Sequence, residues 1–95
     1  MRQYKLLLQD FLTDRILFYR TTNHYTQEHM AELLHISPRS YIDLEHGKNG
    51  FSATSLVFFQ LLLTRSEVSS LLDDFNILVE RKEQDDLAFN REKTG

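Results

Sequence analysis

Apolar residues recur at intervals of three and four along most of the chain, which is the spacing that places side chains on one face of an α-helix. The first such stretch runs from Gln3 to Arg20 without a Gly or a Pro. A second runs from Gln27 to Leu34 and follows Thr26, whose side-chain oxygen can cap the first turn. The pattern therefore predicts a long first helix and a second helix of about two turns.

Two further helices are predicted from residues that begin and end helices. Ser37 and Pro38 form a cap and a first helical residue, and Gly47 can adopt the left-handed conformation that ends a helix. Ser52 can cap a fourth helix over residues 53–63, which is apolar nearly all round. We expect this fourth helix to be the central core element, covered on more than one side.

The last predicted helix begins at Thr64-Arg65-Ser66-Glu67, which matches a capping box. Apolar residues then follow at helical spacing, so a fifth, amphipathic helix should run to about Lys82. Residues 84–95 are mostly polar, and we expect this tail to fray. Residues 1–83 would then form a single all-α domain of five helices, with the second and third helices within 26–47.

The composition agrees with helices and excludes several classes of protein. Three Gly and one Pro leave few turns, which favours helices over many short strands. A chain of 95 residues holds one core, so a multi-domain enzyme is excluded. The lack of Cys removes disulfides, thiolate metal sites and thiol nucleophiles. No apolar stretch is long enough for a signal peptide or a membrane span, so we expect a cytoplasmic protein without membrane contact.

Charge is distributed unevenly along the chain, whose net charge is −3. Residues 1–50 hold six Lys or Arg and six Asp or Glu, whereas residues 51–95 hold five and eight. Overall acidity counts against a nonspecific nucleic-acid coat protein. It is compatible with a domain that presents basic groups on one face only.

The most informative segment is residues 26–48, which read TQEHMAELLHISPRSYIDLEHGK. This capped short helix, tight turn and second short helix resemble the helix-turn-helix of the Cro and phage-repressor (Xre-like) family. The resemblance covers roughly residues 13–63. It implies a lambda-repressor-like fold with the fifth helix as an addition, and a sequence-specific transcriptional regulator that binds double-stranded DNA without a cofactor.

The resemblance also implies roles for individual residues. The second helix would lie across the phosphate backbone, with Gln27 on a phosphate, while the third helix enters the major groove. Arg39 is the principal candidate for base recognition, because its guanidinium can bind O6 and N7 of guanine together. The implied DNA-binding residues are Thr26, Gln27, Ser37, Pro38, Arg39, Ser40, Asp43, His46, Lys48 and Asn49.

A structural ion pair is implied at the family positions that Arg20 and Glu45 occupy. The cost of removing both charges from water offsets their attraction. Removing one partner alone, however, lowers the folding stability by about 3–5 kcal/mol when such a pair is fully buried. Tyr41 and Leu44 take the inward positions of the third helix, where we expect them to pack in the core.

Two residues depart from the family pattern. Pro38 stands where many members have a polar side chain that touches both a base and the Gln of the preceding helix, so Gln27 lacks that bridge. Asp43 stands where a basic or amide side chain is common. A carboxylate near phosphates is repelled unless it accepts a hydrogen bond, for example from cytosine N4.

The DNA-binding face that the resemblance implies is short of positive charge, with Arg39, Lys48 and either Arg15 or Arg20 as its cations. We expect modest affinity per monomer. The same shortage favours an alternative, a protein-interaction module on this fold, such as an antitoxin, an adaptor or an antirepressor that does not bind DNA itself.

Catalytic and metal chemistry have less support in the sequence. The four histidines, His24, His29, His35 and His46, have no metal-ligand spacing, so surface or turn histidines are the better interpretation. Ser, His and Asp occur in no nucleophile motif, and Gly-rich phosphate loops are absent. We therefore expect neither an enzyme nor a metal site.

A single short reading helix covers only a few base pairs, so we expect a homodimer on a palindromic operator with half-sites about 34 Å apart. Surplus apolar residues on the first and fifth helices are the candidate interface. The alternative is that these two helices pack on each other within one monomer. The candidate interface residues are Tyr4, Leu8, Phe11, Leu71, Phe75 and Leu78.

Overall fold

The structure of the protein, a computed structural model, describes the backbone of residues 2–94 and the side chains of residues 3–88. All regular structure in this part of the chain is helical, which confirms the predicted all-α class. The chain divides into two compact units, Met1–Thr64 and Arg65–Gly95. The five helices are α1 (Arg2–Thr22), α2 (Gln27–Leu34), α3 (Pro38–Glu45), α4 (Ala53–Leu62) and α5 (Arg65–Thr94).

Helices α2, α3 and α4 begin at the side-chain caps that the sequence predicts. Thr26, Ser37 and Ser52 each accept a hydrogen bond from the backbone N–H three residues further on, at 3.0, 3.1 and 3.1 Å. Each bond satisfies an N–H group that the first turn of a helix leaves without a partner. Pro38 occupies the first turn of α3, and Gly47 follows that helix with a left-handed φ of 75°. Local chemistry therefore sets the bounds of the short helices.

The core of the first unit forms where its four helices meet. Helix α2 packs against both α3 and α4, and α1 packs against α3. Tyr41 and Leu44 are buried, as the sequence predicts. The buried apolar side chains of this unit are Phe11, Leu12, Ile16, Met30, Ala31, Leu34, Tyr41, Leu44 and Phe59. Helices α2 and α3 are thereby fixed to one support.

Helix α4, predicted to be covered on more than one side, leaves one apolar face exposed. Ser55 and Phe59 are buried, but Val57 and Leu61, one turn apart, expose 52% and 70% of their surface. A small unit has too few elements to cover every face of an apolar helix. The sequence pattern shows that α4 is apolar, but it does not show how many neighbours are present to cover it.

Helix α5 extends beyond its predicted end at Lys82. It is one continuous helix of 30 residues, about 45 Å long, so the expected boundary between residues 83 and 84 falls inside it. Neither Gly nor Pro interrupts this stretch. Asn76 donates to Glu80 at 3.2 Å, and Lys82 Nζ lies 3.7 Å from Asp86 Oδ2. Side-chain pairs four residues apart support the helix, and the Lys82–Asp86 pair does so where the apolar pattern has stopped.

The burial of Phe59 predicts that this side chain stabilises the first unit. Its ring is 1% exposed and meets the rings of Tyr19 and Phe51, each at a centroid distance of 5.9 Å. We expect Phe59→Ala to lower the free energy of unfolding by about 3–5 kcal/mol, because it leaves a cavity. Phe18→Ala makes the same change at a side chain that is 67% exposed, and should alter stability by about 0.5 kcal/mol or less. Urea unfolding followed by circular dichroism measures both, and equal losses would contradict the described core.

Candidate functional site

Helices α2 and α3 form a tightly connected pair. The turn between them consists of His35, Ile36 and Ser37. His35 ends α2 in the left-handed conformation, with φ 58°, and its ring lies 4.3 Å from the ring of Phe58. The Ile36 N–H donates to the carbonyl of Ala31 at 3.0 Å. This turn and its contacts fix the direction in which α3 leaves α2.

Helix α3 is held by one face. Tyr41, Leu44 and Glu45 are buried, whereas Pro38, Arg39 and Ser40 are exposed on its first turn. The Ser37 hydroxyl donates to the Ser40 hydroxyl at 2.9 Å. The side chain of Arg39 is 76% exposed. The beginning of α3 therefore presents one cationic and two hydroxyl side chains to a ligand.

The carboxylate of Glu45 is the polar centre of the first unit. Arg20 binds it as a two-pronged fork, with Nε on Oε2 and Nη2 on Oε1, both at 2.8 Å. The Tyr41 hydroxyl donates to Oε2 at 2.5 Å, and the Gln27 amide donates to Oε1 at 3.1 Å. Arg20 Nη1 also donates to the Tyr25 carbonyl at 3.2 Å. The ion pair implied by the family resemblance is thus present. Together with the Gln27 hydrogen bond, it joins α1, α2 and α3.

These hydrogen bonds shift the pKa values of the groups involved. Burial alone would raise the pKa of Glu45, but the hydrogen bonds from Arg20, Tyr41 and Gln27 outweigh it and lower this pKa below its ordinary value. The hydrogen bond to Glu45 raises the pKa of Arg20. Burial, together with the bond to Glu45, raises the pKa of Tyr41 well above its usual range. The centre is therefore ionised as an Arg–Glu pair with a neutral Tyr at neutral pH.

Gln27 has a contact that the sequence analysis did not anticipate. Its amide nitrogen donates to Glu45, on the inner side of the α2–α3 pair, and the side chain is half-buried. The resemblance implies a phosphate contact at this residue. With Pro38 unable to bridge to it, the amide N–H has a buried carboxylate as its partner instead. No signal in the sequence pointed to this pairing.

Arg39 and Asp43 lie on the same side of α3, one turn apart. Arg39 Nε is 3.6 Å from Asp43 Oδ1, and the Asp43 side chain is only 20% exposed. Oδ1 itself is buried and accepts no hydrogen bond from the described part of the chain. This pairing is not among the sequence predictions, although the spacing of four residues on a helix is a sufficient signal for it.

The loop after α3 is attached to both α3 and α1. The Lys48 N–H donates to the Asp43 carbonyl at 2.9 Å, and the Gln9 amide donates to the Gly47 carbonyl at 3.1 Å. The exposed candidates of this region are His46, Lys48 and Asn49, and Thr26 at the start of α2 is exposed as well. Gln9 was not among the predicted site residues, because nothing in the sequence relates it to a loop 38 residues away.

The expected contribution of Arg20 to the positive charge of this face is not supported. Its guanidinium is engaged by Glu45 and Tyr25 and keeps about 20% of the side chain exposed. Arg15 lies over the ring of Phe11, 4.9 Å from its centroid. Arg39 and Lys48 are the exposed cations that remain among the four residues considered.

The candidate dimer residues differ in exposure. Phe11 and Leu71 are buried, and the assignment of the six residues to a dimer interface stays a prediction. Tyr4, Phe75 and Leu78 are half-buried, and Leu8 is exposed. Amphipathic spacing identifies an apolar stripe, but burial decides whether the stripe is available to a partner.

Comparison with known proteins finds no match to this chain among family models, curated proteins or solved structures. Within the described residues, no helix has both the length and the apolar character needed to cross a membrane. The same residues contain no cluster of three or more His, Cys, Asp or Glu side chains arranged to hold a metal ion.

The Glu45 centre predicts a defined response to acid. Because folding lowers the pKa of Glu45 from its ordinary value of 4.5, its stabilisation is present above that pH and is lost as the pH falls through the lowered pKa. Glu45→Gln should weaken this acid dependence. At pH 7 it should cost about 2–3 kcal/mol, less than for a fully buried pair, because Arg20 retains contact with water.

Urea unfolding at several pH values measures both effects. Glu32→Gln is the matched control, since the Glu32 side chain is 79% exposed and its replacement should leave both the stability and its pH profile nearly unchanged. Identical acid profiles for wild type and Glu45→Gln would contradict the role of Glu45.

Proposed function

We propose that the chain is a sequence-specific DNA-binding regulator of transcription, in which α2 and α3 act as a helix-turn-helix and α3 enters the major groove. One observation carries this proposal: α3 is fixed by its buried face, and Arg39 projects from the opposite side of its first turn with 76% of its side chain exposed. A rigid helix that presents an exposed Arg suits the recognition of a base edge.

Each part of the α2–α3 pair would have a distinct task in DNA binding. Arg39 reads guanine through its guanidinium, and the hydroxyls of Ser37 and Ser40 can bind a base edge or a phosphate. Lys48 lies in the loop directly after α3 and would contact the phosphate backbone of the duplex. His46 and Asn49 lie close to it in sequence. The beginning of α2, capped by Thr26, faces the phosphates with its backbone N–H groups.

The small number of exposed cations supports binding as a homodimer. A face with Arg39 and Lys48 makes few phosphate contacts, so a single copy binds DNA weakly and two half-sites are needed for useful specificity. The dimer would occupy a palindrome with half-sites about 34 Å apart and would act in the cytoplasm, by occupying its operator. The regulator itself requires no cofactor.

The test of this function is selection of DNA from a random pool, followed by fluorescence-anisotropy binding at two salt concentrations. We expect wild type to enrich a palindrome and to lose affinity steeply with salt. Arg39→Ala should reduce discrimination at one base position by about 1–3 kcal/mol. Arg81→Ala removes the same charge from an exposed site on α5 and serves as the matched control.

Three results would contradict DNA recognition by α3. They are the absence of an enriched sequence, binding that ignores salt, and equal effects of Arg39→Ala and Arg81→Ala on discrimination.

The homodimer has its own test. We expect sedimentation velocity to show a mass that rises with protein concentration, and two protomers on each palindromic duplex. Leu8→Glu and Leu61→Glu each place a charge on an exposed apolar face of α1 or α4, and the variant that abolishes the dimer identifies the interface. A single protomer on each palindrome at saturating concentration would exclude the dimer.

A second candidate function is protein binding, and the exposed apolar side chains favour it. Phe18 on α1 and Val57 and Leu61 on α4 are all more than half exposed. Exposed apolar side chains are typical of surfaces that bind other proteins. An antitoxin, an adaptor or an antirepressor would bind its partner protein through these side chains. Protein binding replaces DNA binding as the proposed function if the selection enriches no DNA sequence.

A further inference from the structure

The pairing of Arg39 with Asp43 has features that a solvated surface ion pair lacks. The Asp43 side chain is 80% covered, while its partner Arg39 is 76% exposed. The backbone at Asp43 is fixed as well, because its carbonyl accepts from the Lys48 N–H and the next residue, Leu44, is buried. A largely covered carboxylate on a fixed backbone thus lies beside an exposed guanidinium.

The carboxylate oxygen nearest to Arg39 lacks a hydrogen bond. Asp43 Oδ1 is buried, and Arg39 Nε, at 3.6 Å, is too distant to donate to it. A buried acceptor without a donor is costly, and the cost falls if a donor approaches. A small movement of the Arg39 side chain towards Asp43 would bring Nε–H within hydrogen-bond distance and satisfy Oδ1.

We propose that Asp43 is a positioning residue for Arg39, and that together they read guanine at one position of each DNA half-site. Asp43 accepts a hydrogen bond from Nε–H of Arg39. The two terminal nitrogens of the guanidinium, Nη1 and Nη2, then remain to donate to O6 and N7 of guanine. This inference rests on the proposed function and deepens it, because it assigns Asp43 a role in the selection of guanine by Arg39.

The arrangement favours specificity over affinity. Asp43 restricts the rotamers of a long side chain before DNA is bound, which lowers the entropy cost of the guanine contact. Its negative charge also repels the phosphates, which weakens binding to DNA of any sequence. The Asp43 carboxylate therefore raises the ratio of specific to nonspecific DNA affinity.

A double-mutant cycle tests the proposal on the site that wild type selects. Wild type, Asp43→Asn, Arg39→Ala and the double variant are each titrated with duplexes that carry guanine or adenine at the selected position. We expect Asp43→Asn to reduce the preference for guanine by about tenfold in the presence of Arg39. In the Arg39→Ala background the same change should have no effect on this preference.

Two controls separate positioning from general effects of charge and folding. Asp86→Asn removes a carboxylate that lies 3.7 Å from Lys82 on α5, so it repeats the loss of an i,i+4 acidic partner away from α3. It should leave the preference for guanine unchanged. Asp43→Ala is the second variant at the site, and circular dichroism melting of both Asp43 variants verifies that they are folded.

The possible outcomes have different meanings. Loss of the guanine preference that depends on Arg39 supports the proposal. A changed preference at another base in the Arg39→Ala background would show that Asp43 reads a base itself, which overturns positioning. Tightening on all duplexes after Asp43→Asn with the preference for guanine unchanged would show that Asp43 acts by repulsion alone, and would also overturn positioning. If wild type selects no sequence, the proposed function fails, and the inference about Asp43 fails with it.

Discussion

The first unit depends on one carboxylate. Glu45 accepts hydrogen bonds from α1, α2 and α3, through Arg20, Gln27 and Tyr41. A buried charge of this kind is costly unless its lone pairs are satisfied, and here four donors satisfy them. Because those donors come from different helices, the ionised state is favourable only when the helices are assembled in this arrangement. The polar centre therefore specifies the relative positions of α1, α2 and α3 more sharply than apolar packing alone.

The same centre determines which side of α3 faces outwards. Tyr41 and Glu45 are one turn apart and both point into the unit, so Arg39 and Asp43 on the next row remain near the surface. Gln27 belongs to the centre too, through its bond to Glu45. An amide that would otherwise be free for a phosphate thus contributes to the fold. The proposed DNA-binding face of α3 would then rely on a few well-placed groups, with specificity obtained by orientation rather than by a large positive charge.

Some features of the fold and of the candidate site follow from short-range chemistry, and these are predicted well. Thr26, Ser37 and Ser52 cap helices because their side-chain oxygens lie within reach of the N–H groups three residues on. Tyr41 and Leu44 are buried because they share the apolar face of α3. Features that depend on distant parts of the chain are not contained in the pattern. Within the described residues, Val57 and Leu61 of the apolar helix α4 are more than half exposed, whereas Phe11 and Leu71 are buried.

The sequence by itself determined the all-α class and the bounds of α2 and α3, and it supplied the residues proposed to recognise DNA, because capping, periodicity and the motif of residues 26–48 are local properties. Only the tertiary structure decided what those residues contact. In the folded protein the Gln27 amide donates to Glu45, Arg20 pairs with Glu45, and Gln9 donates to the loop after α3. Asp43 Oδ1 is also covered beside Arg39. The physical reason is that hydrogen-bond partners and burial depend on which helices pack together, and a linear pattern does not contain that information.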